Sequence, residues 1–74
     1  MDKVILDCKG LNCPLPIVNI GRALKKMEVG QSIEVIADDP AFEYDVLAYV
    51  KHLNHTLVTI EKGEITKVVI RKEQ

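Results

Sequence analysis

Apolar residues in this 74-residue chain switch between a period of two and a period near 3.6, and that alternation leaves few folds open. Val4-Ile5-Leu6 is a short β-branched run ending at Asp7, Lys9 and Gly10, a strand by composition and length. Val4, Leu6 and Cys8 share one face of it and Lys3, Ile5 and Asp7 the other; the first set is the expected core face. Ile17, Ile20, Leu24 and Met27 then fall on one helical stripe. Pro14 and Pro16 sit where a first turn tolerates proline, and Gly30 is the expected stop. Gly21 inside this helix costs about 1 kcal/mol of propensity relative to alanine.

Ser32 to Ala37 alternates again, with Ile33 and Val35 inward. Asp38-Asp39-Pro40 reads as a capping signal with a first-position proline. Phe42, Val46, Tyr49, Val50 and Leu53 mark a second helix, with Lys51 and His52 suited to its C-terminal dipole and Asn54 to the left-handed residue that ends it. Thr56 to Ile60 and Ile65 to Ile70 are two strands joined around Lys62-Gly63. The order is βαβαββ over one domain, residues 1–74. Helical crossovers make the first three strands run the same way, and the hairpin reverses the fourth. The expected fold is α/β (α+β): a two-layer sandwich with a four-stranded mixed sheet and both helices on one face. The apolar run Val68-Val69-Ile70 suits an interior strand.

This topology brings Gly10 to Pro16, Asp38 to Pro40 and the Lys62-Gly63 turn to the C-terminal end of the parallel strands, where α/β sheets favour ligand sites. His52, His55, Gly30 and the C-terminal tail belong at the opposite end. Net charge is −1 from 10 basic and 11 acidic side chains, without the clustered positive excess that neutralises a nucleic-acid backbone. Phe42, Tyr44 and Tyr49 are the only aromatic residues, too few for a base-stacking platform. No apolar run approaches the roughly 20 residues that span a bilayer, and the N-terminus reads as a strand rather than a signal peptide. Two cysteines without export signals point to a reducing, cytoplasmic setting.

Cys13-Pro14-Leu15-Pro16 is the most informative stretch. Cys13 falls at the expected N-cap, where the helix dipole stabilises an anion and lowers a thiol pKa. The prolines fix φ and remove two N–H groups, so the junction is stiff and only Leu15 and Ile17 can donate in that turn. A stiff, exposed, activated thiol suits a group that is charged and then discharged by partners. The plainer alternative is a small apolar cysteine at a helix start, for which flanking prolines are irrelevant.

The segment Leu6-Asp7-Cys8-Lys9-Gly10-Leu11-Asn12-Cys13-Pro14-Leu15-Pro16 resembles the signature of the TusA/SirA/YeeD family of sulfur carriers, and Asp38-Asp39-Pro40 is similar to that family's second-helix start. The resemblance covers essentially the whole chain. It implies a fold like the C-terminal domain of translation initiation factor three. It also implies that Cys13 accepts sulfane sulfur as a persulfide and passes it on, with no metal or bound cofactor. The implied donor is a cysteine desulfurase or a rhodanese-like protein, and the implied acceptor a downstream protein. In the best-known branch the product is 2-thiouridine in tRNA; other branches serve sulfur oxidation, molybdenum-cofactor supply or selenium metabolism. A monomer without direct nucleic-acid or membrane contact is expected.

Cys8 departs from the best-known branch. Its face points to a buried apolar role; the sharper alternative is a resolving thiol that forms a disulfide with Cys13 and makes the protein a redox module. A zinc site of Cys8, Cys13, His52 and His55 is disfavoured, because the second helix separates the pairs by roughly 20 Å at 1.5 Å per residue. Asp38 and Asp39 read as caps, or else as a negative patch beside Cys13 that opposes thiolate formation. On the outward side of the first helix, Leu15, Val18, Arg22, Lys25 and Lys26 read as a solvated face or as a docking strip for donor and acceptor, which Lys62 could extend. A non-catalytic RNA- or protein-interaction domain is the remaining alternative, since fold does not fix function.

Overall fold

The computed structural model describes residues 3–74. Its elements are β1 (Val4–Asp7), α1 (Leu15–Lys26), β2 (Ser32–Ala37), α2 (Phe42–Leu53), β3 (Thr56–Glu61) and β4 (Thr66–Arg71). The sheet order is β1-β2-β4-β3, with β1 parallel to β2 and β4 antiparallel to both its neighbours. β1, β2 and β3 therefore run the same way. β4, whose Val68 and Ile70 are buried, occupies an interior position between β2 and β3.

Alternation along each strand decides what is covered. Ile33, Val35 and Ala37 of β2 are buried, as are Val68 and Ile70 of β4, while the residues between them are only half-covered. Both helices pack on this one apolar face, contributing Pro16, Ile20 and Leu24 from α1 and Phe42, Val46 and Val50 from α2. The other face carries Ile5, 64% exposed, and two ion pairs, Lys3–Glu34 at 2.9 Å and Lys67–Glu61 at 3.5 Å. A face of this kind is tolerated by a sheet with an antiparallel strand. The β3–β4 register shifts between Leu57 and Thr59, so Leu57 and Ile60 both meet the core.

Gly21 has a packing reason. A Cβ built there would lie 2.7 Å from the Tyr49 hydroxyl, so the glycine lets the Tyr49 phenol lie against α1.

The end of α1 differs from the expectation. The cap is Met27 in extended conformation, not Gly30; Gly30, at φ 94°, shapes the turn into β2 three residues later. The stop comes from the far end of the chain. Lys72 Nζ donates to the carbonyls of Leu24 at 2.6 Å and Met27 at 2.7 Å, adding to the Met27 N–H that already meets Leu24 O at 3.2 Å. Lys72 and Gly30 are also linked through their backbones, Gly30 N–H donating to Lys72 O at 2.8 Å. Replacing Lys72 with methionine keeps the stem but removes the charge. We expect a loss of about 1–3 kcal/mol in urea unfolding, the range for charge-assisted bonds to helix-end carbonyls. An unchanged midpoint would show that water caps the helix equally well.

Candidate functional site

The loop that carries Cys13 is built from backbone constraints. After β1 the chain turns, Leu11 N–H donating to Cys8 O at 3.2 Å, and Gly10 takes φ 83°, a conformation that favours glycine. Cys13 is exposed and is not the N-cap that was expected of it; it lies one residue before the observed N-cap of α1, Pro14, and the Cys13–Pro14 peptide bond is cis. The two prolines differ in role. Pro14 is exposed, whereas Pro16 is fully buried and anchors the start of α1 in the core. Leu15 N–H is already committed to Asn12 O at 2.8 Å. Among the described residues, no backbone carbonyl meets the Ile17 N–H.

Asp38 and Asp39 do not cap α2, whose N-cap is Ala41; Pro40 likewise precedes the helix rather than opening it. The pair clamps the cysteine loop instead. Gly10 N–H donates to Asp38 Oδ1 at 3.0 Å and Cys13 N–H to Asp39 Oδ2 at 2.8 Å. The other oxygen of Asp39 accepts from Ala41 N–H at 3.3 Å, so one carboxylate joins the reactive loop to the approach of α2.

The Cys13 thiol is pushed above the ordinary cysteine range, against the expectation of a lowered pKa. The first cause is its hydrogen bond to the Asp45 carboxylate, followed by desolvation and then by the charges of Asp45 and Asp39. The helix start offers little to oppose them, because Pro14 and Pro16 lack N–H groups. Asp45 is the residue that the sequence reading missed. It precedes Tyr49 by one helical turn, on the flank of α2 that meets Gly21 of α1, and this spacing was the available signal.

Cys8 has no solvent exposure and lies in the core, and both cysteines are free thiols. Burial raises its pKa first and the Asp7 charge second, while a hydrogen bond from Asn19 acts in the opposite direction. On α1, Leu15 and Val18 are 49% and 42% exposed, and Arg22, Lys25 and Lys26 follow on exposed positions. These three cations form no ion pair among the described residues, and α1 contains no acidic side chain. Val18, Arg22 and Lys25 border a groove of about 400 Å³ whose other side includes Tyr49 of α2. Lys62 does lie at this end of the sheet, but it pairs with Glu43 of α2 at 2.7 Å. A larger groove of about 470 Å³ runs between Val4 and Leu6 of β1 and Ala23 and Met27 of α1, and Cys13 is not part of it. Among the described residues, no group of three side chains could hold a metal ion, and no helix is long and apolar enough to cross a membrane.

Fold and site together define a small α/β protein with one accessible cysteine on a clamped, proline-bounded loop. The chain belongs to the TusA sulfurtransferase family: the model described as "Sulfurtransferase TusA" matches residues 4–72. Its relatives include a provisionally named sulfur carrier protein of Archaeoglobus fulgidus, 48% identical over 59 residues, or 80% of this chain and 77% of the relative. A second, YrkI of Bacillus subtilis, also provisionally named a sulfur carrier protein, is 43% identical over 72 residues, 96% of this chain and 95% of its own. The SirA-like protein of Desulfitobacterium hafniense has the same fold, with a TM-score of 0.82 over 96% of this chain and 99% of its own at 18% identity. Family and relatives place the chain among sulfur carrier proteins.

Proposed function

We propose that Cys13 is the sulfur-carrying atom of a relay, taking sulfane sulfur as a persulfide and delivering it to an acceptor protein. The observation that carries this reading is the position of Cys13: exposed, yet fixed by Asp39 through its own N–H and by Pro16 buried three residues on. Loading is a thiol–disulfide-type exchange. Cys13 sulfur attacks the outer sulfur of a donor R–S–SH, the Cys13–S–S bond forms, the R–S–S bond breaks, and the released R–S⁻ takes up the proton that Cys13 gave up. No net oxidation occurs. The cysteine desulfurase or rhodanese-like donor, the acceptor, the cytoplasmic setting and the single-domain, monomeric state all belong to this proposal, as do tRNA thiolation, sulfur oxidation and cofactor sulfuration as possible end uses. Cys8, enclosed in the core, takes no part in it.

The test is intact mass under non-reducing conditions after incubation with a cysteine desulfurase and cysteine. A gain of about 32 mass units, removed by reductant, is the expected result. A loss of about 2 units without any gain would replace the relay with a Cys8–Cys13 disulfide module.

The strip Leu15, Val18, Arg22, Lys25 and Lys26 is the proposed docking surface, next to the sulfur and free of internal ion pairs. Reversing Arg22, Lys25 and Lys26 to glutamate is expected to slow loading at least tenfold at low salt, and the difference should shrink as salt rises. Equal rates for the reversed variant and the wild type at low salt would remove α1 from the docking surface.

A further inference from the structure

We propose that the free edge of β1 takes an extended, acidic segment of a partner protein as a fifth strand, seated in the groove between β1 and α1. This contact is independent of the sulfur step and lies away from Cys13, which does not border that groove. The two edges of the sheet differ. β3 forms one of them and is interrupted by the register shift between Leu57 and Thr59, a feature that discourages further pairing. β1 forms the other, with an unbroken register to β2 and no proline. Cys8 N–H donates to Ile36 O at 2.7 Å, so the alternation of a parallel pair turns the backbone groups of Leu6 and Val4 toward β2 as well. Ile5 and Asp7 therefore direct their N–H and C=O groups away from the sheet, where a further strand meets them.

The core side of β1 is incompletely covered. Val4 and Leu6 stay half-buried, while their β2 partners Ile33 and Val35 are fully buried. With Ala23 of α1 and its cap Met27, they form the apolar walls of the groove of about 470 Å³. Arg22 and Lys26 stand exposed on its rim, neither in an ion pair, and no carboxylate lines it among the described residues. The charge complement of this groove is therefore acidic. From Asn19 to Met27 its α1 side runs about 12 Å at 1.5 Å per residue. Alternate residues of a strand lie about 6.6 Å apart, so three positions of an added strand face the groove. One apolar side chain between two acids matches the walls and both cations. Main-chain bonds to Ile5 and Asp7 supply the remaining affinity, the mode by which sheet edges take up peptides.

A second copy of the chain is a poorer occupant. Antiparallel pairing of β1 with itself would set Arg22 and Lys26 of both copies over one shared groove, like charge against like. Lys3 and Asp7 would meet across such a pair, but Lys3 is held by Glu34 at 2.9 Å and Asp7 accepts from Lys9 N–H at 2.9 Å. An acidic strand has no such conflict. β1 leads directly into the loop that carries Cys13, so a partner held at this edge is tethered while the thiol stays open.

The test uses the whole chain, labelled with nitrogen-15, and the peptide acetyl-Thr-Glu-Thr-Val-Thr-Glu-Thr-amide, which places both acids and the valine on one face. Amide chemical shifts and hydrogen exchange are followed as peptide is added at low salt. Saturating shifts are expected in β1 and at Asn19, Ala23 and Lys26, with exchange of the Ile5 and Asp7 amides slowed. Arg22→Glu/Lys26→Glu should weaken binding at least tenfold and should bind the peptide with lysine in place of both glutamates. Lys25→Glu, off the groove, should bind as the wild type does. Ile5→Pro removes one outward N–H at a position where an edge strand tolerates proline, and it should keep a dispersed spectrum while losing the peptide. Shifts confined to Val18, Lys25 and Tyr49, or none at millimolar peptide, would overturn the proposal, as would a folded Ile5→Pro protein that binds normally. A dimer in sedimentation, with β1 shifts that follow protein concentration alone, would give the edge to a second copy instead. Sulfur loading is read separately, and its failure would leave these binding results standing.

Discussion

Cys13→Ser is expected to abolish sulfur loading outright, reducing the mass gain from about 32 units to none. A hydroxyl does not form a persulfide, and the other thiol is enclosed in the core and does not substitute for it. The fold should survive, because Cys13 is exposed and its fixed element is the backbone N–H to Asp39, which serine retains. Cys8→Ala is the matching control and should load fully, with only the stability cost of a small buried side chain. Loading of Cys13→Ser, or its loss in a folded Cys8→Ala protein, would relocate the chemistry to Cys8.

The second large effect is on stability. Phe42→Ala should destabilise the protein by about 3–5 kcal/mol, the range for truncating a buried phenylalanine. Phe42 is 1% exposed and heads the fully buried side chains by volume. At about 0.05–0.15 kcal/mol per residue, a chain of this length has only roughly 4–11 kcal/mol to lose. The melting temperature should therefore fall by at least about 12 °C, taking roughly 4 °C per kcal/mol for a domain of this size. Phe42 also begins α2, and its N–H donates to Asp39 O at 3.0 Å, so the loss acts where the cysteine loop is clamped. A shift of only a few degrees would mean that the core closes over the gap.

Much of this architecture was legible in the residues. The periodicity identified every element, and Asn54 takes the left-handed conformation its position suggested, at φ 61°. Sequence also brought the cysteine loop and Asp38-Asp39 to one end of the sheet, where their hydrogen bonds now join them. What local pattern did not disclose were contacts made across the fold. Lys72 ends α1 from 48 residues beyond Leu24, and nothing in the helix sequence announces it. Asp39 bonds to an amide 26 residues earlier as well as to one two residues ahead, and a capping motif suggests only the second. The Cys13 pKa went the wrong way because helix position favoured an anion, while the dominant partner, Asp45, came from the neighbouring helix.

The clamp on the cysteine loop bears on how briefly a partner can afford to stay. Ordering a flexible backbone costs about 1–2 kcal/mol per residue, and a loop that freezes only on contact must recover that from the interface. Between Gly10 and Pro16 the freezing accompanies folding: Asp38 and Asp39 hold two amides from outside, and two prolines restrict φ from within. An incoming protein meets a sulfur already in its bound geometry. A small contact area then suffices for productive transfer, and a small area also lets go quickly, which is the requirement on a molecule that must leave one protein to reach the next.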